Sequence, residues 1–181
     1  MIISKKRFYM GNEVTKVLLE IAGKDKLEPG DACGIVDKPG TTEVSIRDDL
    51  GSVYGFAVYL EQSEVAGFFE HYNQQKSRIN DVSQWKPIGN GYYPLYWGKA
   101  KEVVGRVNQH LNVQKQTGVI HLEDRTELKD KKVIYGFVQV KNSDGIEKRV
   151  REDYPDIYMT SSEKSENNKP NKQSKGKKGN K

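Results

Sequence analysis

PLYWGKAKEVVGRVNQHL, residues 94–111, is the most informative segment of this 181-residue chain. It opens with aromatic and other β-prone residues, which predict a short strand ending at Gly98. Its second half carries apolar residues at helical spacing, namely Val103, Val104, Val107 and Leu111. We therefore predict that a helix follows the strand directly, from Lys99 to about Asn112.

Three side chains of this segment could carry chemistry. Arg106 and His110 are four residues apart, so on a helix they lie on one face. Tyr96 lies just before the helix start, where the helix dipole and unpaired N–H groups favour anions. A phenol, a guanidinium and an imidazole at such a place suit a phosphodiester, whose oxygens arginine can bind bidentately.

Each of these residues also has a simpler structural interpretation. A tyrosine at a strand end is usually part of the core, and an arginine and a histidine on a helix usually form a solvated face. Only the combination of Tyr96, Arg106 and His110 at this spacing favours a functional site.

The segments around this one indicate a small α+β domain. Val53–Leu60 is apolar on both faces, which predicts a central strand, and Val133–Val140 is similarly β-prone. Further predicted elements are helices that begin after Asn12, Ser63 and Asp144, and a short strand at Thr42–Ile46. Helices and strands alternate irregularly, with long links, so we expect helices around a short sheet.

The net charge of +5 resides entirely in the C-terminal tail. Residues 160–181 contain seven lysines and two glutamates and no aromatic or aliphatic residue, whereas residues 1–159 are neutral. Such a segment cannot bury enough apolar surface to offset its ordering entropy, so we expect a disordered lysine-rich tail. It would act on nucleic acid without base specificity or simply keep the protein in solution.

The composition also argues against several classes of protein. No segment approaches the roughly 20 apolar residues of a membrane span, and the N-terminus lacks the apolar core of a signal peptide. Cys33 is the single cysteine, and no cluster has the spacing of zinc ligands, so Cys33 is expected to be a small semi-buried residue. We expect a soluble cytoplasmic protein without membrane contact.

The segment 94–111 resembles the second half of the GIY-YIG nuclease domain. Members of that family have a Tyr-Ile-Gly triplet, a lysine, a small residue and then a helix that carries an arginine. Tyr96-Trp97-Gly98 matches the triplet, Lys99-Ala100-Lys101 follows it, and Arg106 has the matching helical position. His110 matches a histidine of several members, and Ser52-Val53-Tyr54 resembles the Gly-Ile-Tyr triplet of the family's first strand.

The resemblance extends downstream and defines three regions. Val133–Val140 would be the family's third strand, Glu147 its metal-binding glutamate, and Tyr154-Pro155 the tyrosine and proline that follow. It implies a nuclease domain at residues 51–159 with a small, mainly antiparallel three-stranded sheet flanked by helices. Residues 1–50 would then be an N-terminal extension packing on that core, and residues 160–181 the tail.

The chain departs from the family pattern in four respects. Trp97 replaces an aliphatic residue, and Ser52 replaces a glycine. The link from Tyr54 to Tyr96 is long and would hold an inserted helix, as in restriction-enzyme-like members. The asparagine that often follows the proline is missing, which removes an expected support of the site.

The resemblance implies a metal-dependent endonuclease, of restriction type, that hydrolyses phosphodiester bonds of double-stranded DNA as a monomer or homodimer. Glu147 would bind Mg²⁺ or another divalent cation such as Mn²⁺, and Arg106 would neutralise the phosphate oxygens. Tyr54 would act as general base or orient the water, provided that nearby cations lower its pKa. Tyr96 would bind the scissile phosphate or assist Tyr54, and His110 would support proton transfer or bind phosphate. The residues expected to contact the DNA backbone are Lys99, Lys101, Arg149 and Arg151.

Two alternatives stay open at this point. Glu147 follows Asp144 by three residues, so the pair could instead form a capping box at a helix start. The whole chain could be a catalytically inactive nucleic-acid-binding module of the same fold, or a structural protein with a charged tail.

Overall fold

The computed structural model describes residues 12–23, 34–35, 50–73, 78–111 and 118–160. Four helices and four strands are formed by these residues. In chain order they are α1 (Glu13–Ala22), β1 (Gly34–Ile35), β2 (Gly51–Tyr59), α2 (Val65–Asn73), β3 (Tyr92–Ala100), α3 (Val103–Leu111), β4 (Val133–Val140) and α4 (Ser143–Asp153). The predicted α+β class is therefore confirmed.

The sheet has the order β1-β4-β2-β3, and all of its strand pairs are antiparallel. Three long strands form most of it, as predicted, and the two-residue β1 pairs with the outer side of β4. In the β2–β3 pair Tyr54 lies opposite Gly98 and Gly55 lies opposite Trp97. Strand β2 is central and β3 is an edge strand. Their pairing makes the triplets Ser52-Val53-Tyr54 and Tyr96-Trp97-Gly98 neighbours in the sheet.

Each face of the sheet packs against two helices. On one face Val53, Ala57 and Trp97 belong to a cluster with the apolar residues of α1 and α4. On the other face Tyr54 and Phe56 belong to a cluster with residues of α2 and α3. Because successive residues of a strand point to opposite faces, β2 and β3 are apolar on both sides and are buried between helices.

The start of α1 is attached directly to β4. The Asn12 side chain caps α1 by accepting from the Thr15 N–H and also donates to the Tyr135 carbonyl, 2.6 Å away. A Cβ at Gly136 would lie 2.4 Å from the Thr15 hydroxyl oxygen, so only glycine allows this close approach. The predicted capping role of Asn12 is confirmed.

Two predicted helix starts are wrong. Strand β3 continues through Lys99 to Ala100, so α3 begins at Val103, and Val104 is 47% exposed instead of buried. Helix α4 begins at Ser143 with Asn142 as its cap, which accepts from the Gly145 N–H; Asp144 is not the cap. Asparagine and aspartate are equally good caps, so sequence alone could not separate two candidates two residues apart.

The chain after α4 covers the outer edge of β3. The buried Asp156 carboxylate accepts from the Trp97 N–H at 2.8 Å, and the Tyr158 N–H donates to the Leu95 carbonyl at 2.8 Å. These bonds satisfy backbone groups that an edge strand would otherwise expose. The segment therefore fixes the position of β3, which carries Tyr96 and Gly98.

None of the helices in the described ranges is long and apolar enough to cross a membrane. Three predictions concern residues outside these ranges: the strand at Thr42–Ile46, the environment of Cys33 and, apart from Thr160, the tail.

Candidate active site at the outer edge of the sheet

The centre of the candidate site is a hydrogen bond between Tyr54 on β2 and His110 on α3. The Tyr54 hydroxyl oxygen lies 2.8 Å from His110 Nε2, and both side chains are buried, Tyr54 being 1% exposed. The Tyr96 ring packs against both, with its centroid 5.0 Å from that of His110. Three of the predicted site residues thus lie in direct contact on the α3 face of the sheet.

The second ring nitrogen of His110 determines the tautomer. Nδ1 accepts a hydrogen bond from the Ile120 N–H at 3.1 Å, so a neutral ring carries its proton on Nε2. Burial, reinforced by the Arg106 charge, lowers the pKa of His110 to about 3, which keeps the ring neutral at pH 7. His110 therefore donates to the Tyr54 oxygen and cannot accept the Tyr54 proton at that nitrogen.

The condition for Tyr54 to act as general base, a pKa lowered by nearby cations, is not met in this state. Burial, together with neighbouring Tyr96, raises the pKa of Tyr54 and outweighs the hydrogen bond and charge of Arg106, which lower it. Desolvation penalises a phenolate more than one partly exposed guanidinium stabilises it. Tyr54 is consequently a phenol at neutral pH and a hydrogen-bond donor.

Gly98 allows the two tyrosines to meet. A Cβ at this position would lie 2.5 Å from the Tyr54 ring carbon Cζ and hydroxyl oxygen, and 2.8 Å from the Tyr96 ring. Such distances are far inside van der Waals contact. The glycine of the triplet Tyr96-Trp97-Gly98 therefore has a local function, which is to leave space for Tyr54.

Arg106 lies half-buried beside this cluster and is held from two directions. Its Nη1 donates to the Gln109 side chain at 2.9 Å, and its Nη2 donates to the Gly118 carbonyl at 2.5 Å. The guanidinium also acts on Tyr54, whose pKa its charge lowers. A fixed cation beside two phenols is an arrangement that can bind an anion.

Glu147 lies on the other side of β3, in an environment rich in positive charge. One carboxylate oxygen, Oε2, lies 3.2 Å from Lys99 Nζ, and the other, Oε1, lies 3.2 Å from Arg151 Nη2. The capping-box interpretation is wrong because Asn142 caps α4 and position three of the helix is Gly145. Glu147 is therefore an ion-pairing residue at the sheet edge.

Arg151 joins the two halves of the site across the outer edge of β3. Its guanidinium pairs with Glu147, donates to the Trp97 carbonyl and lies 5.5 Å from the centroid of the Tyr96 ring. Glu147 and the Tyr54 cluster lie on opposite faces of the sheet. Because Arg151 contacts both Glu147 and the Tyr96 ring, it links the five predicted residues into one chain of contacts.

The sequence analysis did not identify two residues that support this arrangement, Arg78 and Asp156. Asp156, 1% exposed, pairs with Arg78 at 3.4 Å and with Arg151 at 3.8 Å. Burial raises the pKa of Asp156, and both guanidiniums oppose that effect. An aspartate directly after Tyr154-Pro155 and before an apolar run was the available signal. It occupies the region where the family's asparagine is missing.

The predicted DNA-binding residues have different surroundings. Lys99 is 47% exposed on its side chain and lies between Asp144, at 2.5 Å, and Glu147. Lys101 is exposed beyond the end of β3, and Arg149 is exposed on α4 within 3.8 Å of Asp153. The Arg151 side chain is 23% exposed and pairs with Glu147 and Asp156, so of these four residues it is the least accessible to a ligand.

The carboxylates around Glu147 can be assigned to Mg²⁺ only in part. The described residues contain no group of three or more His, Cys, Asp or Glu side chains arranged around a common point. Asp144 and Glu147 nevertheless both contact the one ammonium of Lys99, so their oxygens face a common cation position. Mg²⁺ commonly uses one or two carboxylates and keeps several waters, so the residues fit it once Lys99 moves aside.

Comparison with known proteins gives no identification. No protein-family model matches the chain, and no significant match was found among curated proteins or among solved structures.

Proposed function

We propose that the protein is a metal-dependent endonuclease that hydrolyses phosphodiester bonds of DNA, with its site at the outer edge of β3. The observation that carries the proposal is the contact chain from Arg106 through Tyr54, His110 and Tyr96 to Arg151 and Glu147. It supplies phenols, a fixed guanidinium and a carboxylate, which are the groups that phosphodiester hydrolysis uses.

The residues of the α3 face would bind and orient the phosphate. Arg106 offers N–H donors to the phosphate oxygens and neutralises the charge that develops on them. Tyr54, kept protonated by burial, donates to a phosphate oxygen or to the attacking water. His110 holds the Tyr54 oxygen by donating to it, so it acts through Tyr54 and is a positioning residue.

Glu147, with Asp144 nearby, would hold the divalent cation. When bound, that cation supplies charge neutralisation at phosphorus and lowers the pKa of a water. Lys99 would leave the carboxylates and pair with phosphate instead, because its long, flexible side chain is 47% exposed.

The direct experiment is a plasmid-cleavage assay with the purified full chain. Nicking or linearisation is expected with Mg²⁺ or Mn²⁺ and none with EDTA. Glu147→Gln should remove the metal-dependent activity. Lys86→Gln removes an exposed lysine that is not one of the site residues and should retain the activity. Cleavage by Glu147→Gln at the wild-type rate would refute the metal site.

A second candidate function is nucleic-acid binding without catalysis. Two observations favour it: Tyr54 is almost fully buried, and both oxygens of Glu147 are already paired with cations. It predicts salt-sensitive DNA binding and no product with any divalent metal. A metal-dependent product would exclude it.

A further inference from the structure

An open cleft of about 440 Å³ lies where β2 begins and β3 and β4 end. Its lining comes from all three strand ends and the first turn of α4, and comprises Leu50, Gly51, Lys99, Ala100, Lys101, Lys141, Ser143 and Asp144. Three lysines from two different strand ends thus surround one concave surface.

The cleft has an excess of positive charge. Among the described residues that line it, Asp144 is the only acidic one, and Lys99 already pairs with it at 2.5 Å. Lys101 and Lys141 are exposed, and within the described ranges neither forms an ion pair or hydrogen bond. Two ammonium groups at one cleft, with no carboxylate partner among the described residues, are electrostatically suited to an anion.

The remaining lining suits an oxyanion in particular. The Ser143 side chain packs closely on the backbone of Gly51, since a Cβ there would lie 2.5 Å from the Ser143 hydroxyl oxygen. That hydroxyl adds a neutral donor to the three ammonium groups. The positive end of the α4 dipole lies at the same place and adds to the field of the lysines.

We propose that this cleft binds a backbone phosphate of the nucleic acid, separate from the phosphate that is cleaved; this rests on the proposed nuclease function. Lys99 is the link between the two places. It lines the cleft, pairs with Glu147 and follows Gly98, which contacts Tyr54. A strand held at Lys101 and Lys141 is thereby placed beside the residues of the candidate active site.

The test is DNA binding at several salt concentrations in EDTA, with the full chain and a fluorescent duplex. Lys101→Gln combined with Lys141→Gln is compared with Lys86→Gln combined with Lys129→Gln. The control pair removes the same charge from exposed lysines that line no part of the cleft. We expect the cleft variant to reduce the log–log salt slope by about 1, at roughly 0.9 per phosphate contact. We expect the control pair to change it by less than half as much.

Equal slopes for the two double variants, or no binding by wild type, would overturn the proposal. If the salt slopes differ as expected but no Mg²⁺-dependent cleavage is detected, the nuclease function is refuted and the assignment of the phosphate cleft stands.

Discussion

Among single residues, the hydrogen bond between Tyr54 and His110 decides which protonation states the site can use. Since the Ile120 N–H occupies His110 Nδ1, the histidine is a donor to Tyr54. The sequence predicted that these two residues lie together, but their roles depended on burial and on a backbone N–H ten residues away. Neither can be read from a motif, so the sequence could not show whether nearby cations lower the Tyr54 pKa, which burial raises instead.

His110 should make stability depend on pH. Its pKa falls from about 6.5 in the unfolded chain to about 3 in the folded protein. Between these two pH values the unfolded state therefore binds more protons than the folded state. Stability from the neutral ring is therefore complete above pH 6.5 and is lost as pH falls toward 3, by at most about 1.4 kcal/mol per pH unit.

Urea unfolding across this pH range measures the effect. His110→Gln should be less stable at pH 7 and show a shallower loss of stability on acidification than wild type. His71→Gln, which removes an exposed histidine, is the control. Parallel pH profiles for wild type and His110→Gln would show that His110 is not buried in its neutral form.

Lys99 should compete with a divalent cation for Glu147. Lys99→Met removes the ammonium and keeps most of the alkyl chain, so Mn²⁺ affinity, measured by electron paramagnetic resonance, should rise several-fold. Lys101→Met removes the same charge without contacting Glu147 and should change the affinity much less. Unchanged or weaker Mn²⁺ binding by Lys99→Met would contradict a metal position at Glu147.

At the level of secondary-structure elements, β3 is the part of the fold that the site depends on most. Its pairing with β2 places Gly98 opposite Tyr54, and the segment after α4 fixes its outer edge through Asp156. The three long strands and the inserted α2 were predictable from their β-prone and apolar residues, whereas the two-residue β1 was not predicted. The end of β3 was not, because Lys99 and Ala100 have no strand preference and continue the strand through pairing alone.

Gly98→Ala tests the close packing of these elements. The added methyl group would overlap the rings of Tyr54 and Tyr96, so unfolding free energy should fall by about 1–3 kcal/mol. Gly105→Ala is the matched control, since nothing lies within 4 Å of its Cβ and it is inside α3. It should stabilise the protein by about 0.5–1 kcal/mol, as alanine favours helix.

Thermal or urea denaturation of both variants gives the comparison. A Gly98→Ala protein as stable as wild type would mean that the two rings are not held against β3 as described.

For the molecule as a whole, the net positive charge and the candidate site lie in different parts of the chain. We expect the tail to contribute to DNA binding and the rest of the chain to carry the site. Residues 160–181 hold the entire net charge of +5, while the site lies in the neutral remainder. Net charge was visible in the sequence, whereas the ion network of Arg78, Asp156 and Arg151 required the fold, because its members are distant in the chain.

Removal of residues 161–181 should weaken DNA binding at moderate salt and spare the cleavage step. Thr160 is kept because it is buried. The expected change is a smaller salt slope, with an unaltered rate constant for single-turnover cleavage at saturating protein. A slower cleavage step in the shortened chain would show that the tail takes part in the chemistry.

The most direct test of the nuclease assignment is single-turnover DNA cleavage by wild type and Arg106→Ala, with DNA affinity measured on the same samples in EDTA. We predict Mg²⁺-dependent cleavage by wild type and a rate reduced about 10²–10³-fold in Arg106→Ala, as for loss of one preorganised donor, with similar DNA affinity. No cleavage by wild type, or cleavage by Arg106→Ala at the wild-type rate, would contradict the assignment.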